Sequence, residues 1–221
     1  MPQHPRAGRG GPSSAAHDQR GRTPVRRRLA EDVRRAEIIE ATVAVVGESG
    51  YQSASLARIA ERAMVSKGLV SHHFGDREHL MELAARTTLV TLTDAVTTSL
   101  VTTGPVPEVI RAAIHRAARL PATHGVELGA LRQIIANLRD PDGGSRFGLA
   151  DYREIYRAQE NLFRRGQDEG AFRSFDTGVM ALTYQGAIDT MLTYLHEHPE
   201  ADPDSYADEL ADLMIAAMAH R

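Results

Sequence analysis

Between Arg34 and Leu80 the chain is divided by its own turn residues into two short helical segments set between two long ones. Ile38, Ile39, Thr42, Val45 and Val46 recur at three- and four-residue spacing until Gly50, which suits the C′ position of a helix, so a first helix over residues 31–48 is expected. Ser53 can cap a short second helix in which Leu56, Ile59 and Ala60 form one face. After the Ala63-Met64-Val65 turn, Ser66 can cap an equally short third. Asp76 is a natural N-cap for a long fourth helix over 77–100, ended by Gly104-Pro105. Two short helices joined by a tight turn are the geometry that lays a recognition helix in the major groove of DNA.

The remaining segments read as helices over 108–120, 126–138, 149–169, 176–197 and 204–219, punctuated by Pro121, the Pro141-Asp142-Gly143-Gly144 cluster, Gly170 and Pro199. No stretch alternates with period two for long enough to predict a strand, and no solenoid repeat is visible. An all-α fold of about nine helices is expected. The 42% hydrophobic share with only 5% aromatics and no Trp fits a core of Leu, Ala and Val.

Cysteine is absent, which excludes disulfides, Cys-ligated zinc and thiol nucleophiles. No apolar run reaches the ~20 residues of a membrane span, and the N-terminal segment has no signal-peptide core, so a cytoplasmic protein without a membrane partner is expected. Neither G-x-S-x-G, G-x-x-x-x-G-K-[ST] nor H-E-x-x-H occurs, so the chain is not read as an enzyme. His72, His73 and His79 have only Asp76 and Glu78 near them in sequence, and neither a metal nor a cofactor is expected.

The net charge of -3 conceals a strong asymmetry. Residues 1–28 hold seven arginines against Asp18 alone, a net of +6, whereas residues 29–80 sum to -2 and residues 81–221 to -7. Three regions are therefore expected: a disordered basic arm over 1–28, a helix-turn-helix domain over 29–80, and an acidic helical body over 81–221. Residues 1–24, rich in Gly, Pro, Ser and Arg, cannot bury enough apolar surface to offset their ordering entropy. Basic arms of this kind gain affinity for polyanions by counterion release, while an acidic body is repelled, so only one end of the chain would meet DNA. Arg26, Arg27 and Arg28 are the arm residues assigned to that contact.

Val65, Val70 and Phe74 are spaced to face inward, which leaves Ser66, Lys67, Gly68, Leu69, Ser71 and His72 on or near the outer side. That set offers donors, small residues for close approach and an apolar group for a thymine methyl. The ordered run from Gly50-Tyr51-Gln52 through Leu56-Ala57-Arg58-Ile59-Ala60, then Val65-Ser66-Lys67-Gly68 and His72-His73-Phe74-Gly75-Asp76-Arg77, resembles the N-terminal domain of TetR-family repressors. The resemblance implies that Ser55 donates to a phosphate from the start of the second helix, and that Arg58 meets a phosphate or a base edge. It implies the same for Lys67, the only lysine in the chain. Leu69 would read a thymine methyl, and His72 and Arg77 would anchor the backbone. Two residues depart from the pattern. Ser71 stands where the family very often has Tyr, and Met64 occupies a turn position where Gly is common and a left-handed backbone costs ~1–2 kcal/mol.

In the body, two apolar stripes suit helix-to-helix packing: Val179, Leu182, Met191, Leu192 and Leu195, then Tyr206, Leu210, Leu213, Met214 and Ala217. The resemblance implies that residues 81–221 form a ligand-binding and dimerisation domain in which these two helices pair across a two-fold axis, the other reading being that the stripes pack on their own subunit. The resemblance further implies a small-molecule effector, for which His115, Asn137, Phe147, Tyr152, Tyr156 and Tyr184 are the candidate contacts. The expected function is a homodimeric, sequence-specific transcriptional regulator, a repressor released from a palindromic double-stranded DNA operator by its effector. An all-helical adaptor or scaffold without DNA binding is the alternative, and it leaves the recognition-helix pattern and the basic arm unexplained.

Overall fold

A computed structural model describes residues 24–220, with side chains from residue 28 onward. It divides into two units, residues 1–34 and residues 35–221. Of the first unit, the described part is the opening of helix α1, Pro24–Ser49, which starts seven residues before the position that the apolar periodicity indicates. Pro24 at the first helical position costs no hydrogen bond there, because the first N–H groups of a helix have no intrahelical partner. Arg28 is exposed, and the side chains of Arg26 and Arg27 lie outside the described residues.

The second unit continues α1 and adds a 3-10 turn at Tyr51–Ser53 followed by α2 (Leu56–Arg62), α3 (Lys67–Phe74) and α4 (Arg77–Thr97). Six helices complete it: α5 (Val106–Ala118), α6 (Leu120–Thr123), α7 (Gly125–Asn137), α8 (Arg153–Asp168), α9 (Thr177–Glu197) and α10 (Pro203–Met218). The described residues thus hold nine helices of seven or more residues plus the four-residue α6, and no strand beyond an isolated bridge between Arg139 and Ser145. The all-α expectation is met.

The caps explain the boundaries. Asp76 Oδ1 accepts from His79 N–H at 2.8 Å, and Ser66 Oγ from Leu69 N–H at 3.1 Å, as the sequence indicates. The cap of α2 is Ser55 and not Ser53, its Oγ accepting from Arg58 N–H at 3.3 Å. The shift arises because Gly50, at φ 87°, does not lead straight into a helix. The chain first makes the 3-10 turn that buries Tyr51, and Ser53 is spent inside that turn. Met64 adopts φ 53°, the left-handed conformation expected to be strained, with its side chain in solvent.

Two hydrophobic clusters fill the unit. One joins Ile38, Val45 and Val46 of α1 to Ile59, Val70 and Phe74 of the short helices, and continues through Leu80 and Met81 of α4 to Leu131 and Ile134 of α7. The other joins Ile110 and Ile114 of α5 to Phe163 of α8, Tyr184 and Met191 of α9, and Ala207 and Ala211 of α10. Val96 and Leu192 touch both. Helices as short as α2 and α3 are marginal alone in water, and burial of Ile59, Val70 and Phe74 against longer neighbours is what keeps them folded.

Candidate nucleic-acid interface and internal cavity

The outer side of α3 follows from which of its residues the core takes. Val70 and Phe74 are buried, four residues apart on one face. Lys67, Gly68 and His72 are exposed on the other side, and Leu69 and Ser71 are half-buried at its margins. Ser55, Arg58 and Ser66 are exposed nearby. Ser55 and Ser66 each use one oxygen lone pair in a cap bond, which leaves each hydroxyl hydrogen available to an external acceptor. Arg58 and Lys67 form no ion pair among the described residues, so both charges are available to a ligand.

Other cations of this region are committed to the fold. Arg77 stacks its guanidinium 4.3 Å from the Tyr51 ring centroid and donates to the carbonyls of Ala54 at 2.8 Å and Tyr51 at 2.5 Å. Its position at the head of α4 matches the sequence reading, but its donors tie the 3-10 turn to α4 rather than facing outward. Arg35 lies over Phe74 at 4.6 Å and donates to His73 O at 2.5 Å, closing the carbonyl end of α3. Arg62 meets Glu48 through two bonds of 2.9 Å. Sequence spacing does not separate these structural arginines from Arg58, because the distinction depends on carbonyls and carboxylates remote in the chain.

A cavity of about 620 Å³ opens among α4, α5, α7, α8 and α9. Tyr152 and Tyr184 belong to its wall, and burial raises the pKa of both phenols, so each stays a neutral donor. Tyr156 stacks on Tyr152 at 5.9 Å but stands behind the wall. His115, Asn137 and Phe147 are elsewhere. His115 points from α5 to α10, its Nε2 3.0 Å from Asp208 Oδ1 and its Nδ1 3.4 Å from Asp204 Oδ1. Asn137 bonds back to Gln133 O at 2.8 Å at the exposed end of α7. Phe147 is buried in the first hydrophobic cluster, edge-on to Tyr152.

The groups that sequence reasoning missed are polar side chains of the cavity wall, chiefly Gln159 on the polar helix α8 and Gln185 and Asp189 on the more apolar α9. Gln185 is among the few buried polar residues described, and its place on the apolar stripe of α9 is the signal that could have marked it.

The body touches the recognition region through α7. Gln133 Oε1 accepts from Tyr51 N–H at 2.8 Å, and Gly47 of α1 meets Val126 so closely that an added Cβ would stand 2.7 Å from Val126 Cγ1. Beside the cavity, Arg86 of α4 pairs with Asp151 at 2.6 Å and Glu82 of α4 with Arg146 at 2.7 Å. The residue after Asp151 is the wall residue Tyr152, so α4 is tied by charge to the segment that enters the cavity.

The two C-terminal stripes divide. Met191 and Leu195 are buried within the subunit and Leu192 lines the cavity, whereas Val179, Leu182 and Leu213 are exposed, as is Tyr194 of α9, which is outside the stripe.

Comparison with known proteins agrees with this layout. Residues 38–84 match the family described as bacterial regulatory proteins, tetR family. The HTH-type transcriptional regulator BetI of Paraburkholderia phymatum is 44% identical over 66 residues, which are 30% of this chain and 34% of that protein. BetI 2 of Chromohalobacter salexigens gives 44% over 66 residues, 30% and 32% of the two chains. The chain therefore spans about a third of the length of these curated relatives. In fold, it is similar to the fatty acid degradation regulator FadR from Bacillus halodurans, with a TM-score of 0.70 and 18% identity over 85% of this chain and 97% of that one. A tetR family transcription regulator from Shewanella sp. PV-4 gives 0.67 and 20% over 85% and 99%. The head of the chain, residues 38–84, thus matches the TetR-family DNA-binding domain, and the chain as a whole shares the fold of these solved regulators.

Proposed function

We propose that this protein is a sequence-specific DNA-binding transcriptional regulator, acting as a homodimer on a palindromic operator and leaving it when a small molecule occupies the cavity of the body. The observation that carries the reading is α3 itself, a helix capped at Ser66 that buries Val70 and Phe74 and turns Lys67, Gly68 and His72 to solvent. Lys67, Gly68, Leu69, Ser71 and His72 would enter the major groove, Ser55, Ser66 and Arg58 would hold flanking phosphates, and Arg77 would act by positioning the 3-10 turn. Arg26, Arg27 and Arg28 would add sequence-independent affinity through counterion release.

Dimerisation through the exposed apolar residues of α9 and α10 would set two heads at the spacing of operator half-sites. Filling the cavity would shift Tyr152, and the ion pairs Arg86–Asp151 and Glu82–Arg146 would carry that displacement to α4 and the head. Repression is the usual outcome in the family and is the sense proposed here, in the cytoplasm.

A gel shift and footprint on the intergenic DNA beside the gene tests the reading. A protected, two-fold symmetric site is expected at moderate salt. Lys67→Ala should weaken binding and reduce the salt slope by about 1 while leaving the melting temperature unchanged. Absence of any sequence-preferring shift would overturn the proposal.

A further inference from the structure

On the reading of the cavity as the effector site, its polar groups indicate what kind of effector it takes. The wall is hydrocarbon over most of its extent, from side chains such as Leu92, Val96, Ile135 and Leu162. Such a wall accepts the apolar part of many ligands, so selectivity falls to the few polar groups.

Three of those groups form a chain. Gln159 Nε2 donates to Gln185 Oε1 at 2.7 Å, and Gln185 Nε2 donates to Asp189 Oδ1 at 2.9 Å. The direction of donation is set by the carboxylate, which can only accept when ionised. Gln159 Oε1, at the other end, is buried with no hydrogen-bond donor. Asp189 pairs with no cation among the described residues. The network is therefore short of donors at both ends.

Asp189 is open to the cavity but ringed by protein atoms, and this burial raises the pKa of its carboxyl, with the Gln185 hydrogen bond opposing the shift. An accessible carboxylate set in a largely apolar wall without a counter-ion is a natural partner for a bound cation. Tyr152 of the wall lies within the electrostatic reach of Asp189, and an aromatic face also attracts cations.

The remaining charges of the wall do not neutralise this corner. Arg165 donates to the carbonyls of Thr102 and Gly104 and pairs with Glu169. Arg132, on α7, forms no ion pair with Asp189 among the described residues and is not among the groups that act on its carboxyl.

We propose that the effector is a protonated primary or secondary amine with an apolar body, its ammonium group donating to the Asp189 carboxylate that Gln185 holds at the cavity wall. N–H donors matter as well as charge, so a quaternary ammonium group is a poorer fit.

The test is calorimetric titration of the full-length protein with phenylbutylamine, its N,N,N-trimethyl derivative, phenylbutanol and phenylbutyrate, which share one apolar body. The amine should bind at least tenfold more tightly than each of the other three. Asp189→Asn should remove the preference while phenylbutanol binds as before, and an unchanged or higher melting temperature of the ligand-free variant would show the fold intact. Tighter binding of phenylbutyrate, which would place the head group on Arg132, overturns the proposal. So does equal binding of amine and alcohol, or a preference that survives Asp189→Asn. Binding of none of the four, with DNA binding intact, would instead remove the effector-site reading on which the proposal stands.

Discussion

Arg77 and Lys67 are both cations beside the recognition helix, and the structure separates their work. Arg77 makes two charge-assisted bonds to the carbonyls of Tyr51 and Ala54 and covers the Tyr51 ring. Arg77→Ala removes those contacts and leaves two carbonyls with fewer donors, so a loss of roughly 2–4 kcal/mol of stability is expected in chemical denaturation. Its effect on DNA should follow from a loosened 3-10 turn, appearing as weaker binding with an unchanged salt slope. Lys67→Ala should do the reverse, altering the slope and sparing stability. Sequence alone does not sort the two, because the partners of Arg77 lie 23 and 26 residues away in the chain.

At the level of elements, the helices and most of their ends were legible. Apolar spacing, Ser66, Asp76, Gly50 and the proline and glycine clusters place α3 to α5 and α7 to α10 within a few residues, because capping and periodicity are local interactions. The errors also have local causes. α1 begins at Pro24 because a polar, arginine-rich segment forms helix without any apolar periodicity, and the cap of α2 moves from Ser53 to Ser55 because a 3-10 turn intervenes. What spacing does not reveal is how one element sits on another. Gly47 looks like an ordinary helix-weakening glycine, yet an added Cβ would stand 2.7 Å from both Cγ1 and the backbone oxygen of Val126. For Gly47→Ala the helix-propensity gain is ~1 kcal/mol, and overpacking against backbone costs ~1–3 kcal/mol. A net loss of up to about 2 kcal/mol in thermal or denaturant melts is therefore expected, despite the better helix former.

At the level of the whole molecule, the apolar stripes of α9 and α10 serve three purposes that sequence could not divide. Met191 and Leu195 fill the subunit core, Leu192 faces the cavity, and Val179, Leu182 and Leu213 remain exposed. If the exposed set pairs two subunits, Val179→Glu combined with Leu213→Glu should give a monomer by sedimentation velocity. Its melting should be little changed at matched low concentration, and its operator affinity much reduced, since both positions are solvent-exposed in the single chain. The sequence by itself determined the helical class, the order of the short and long helices, and the face of α3 turned to solvent. Those depend on periodicity and capping, which act over a few residues. Only the tertiary structure decided which arginines serve the fold, which aromatics reach the cavity, and that Gln159, Gln185 and Asp189 join into one polar chain. Apart from the Gln185–Asp189 bond within α9, those contacts link different elements, and the packing of whole helices brings them within hydrogen-bonding distance.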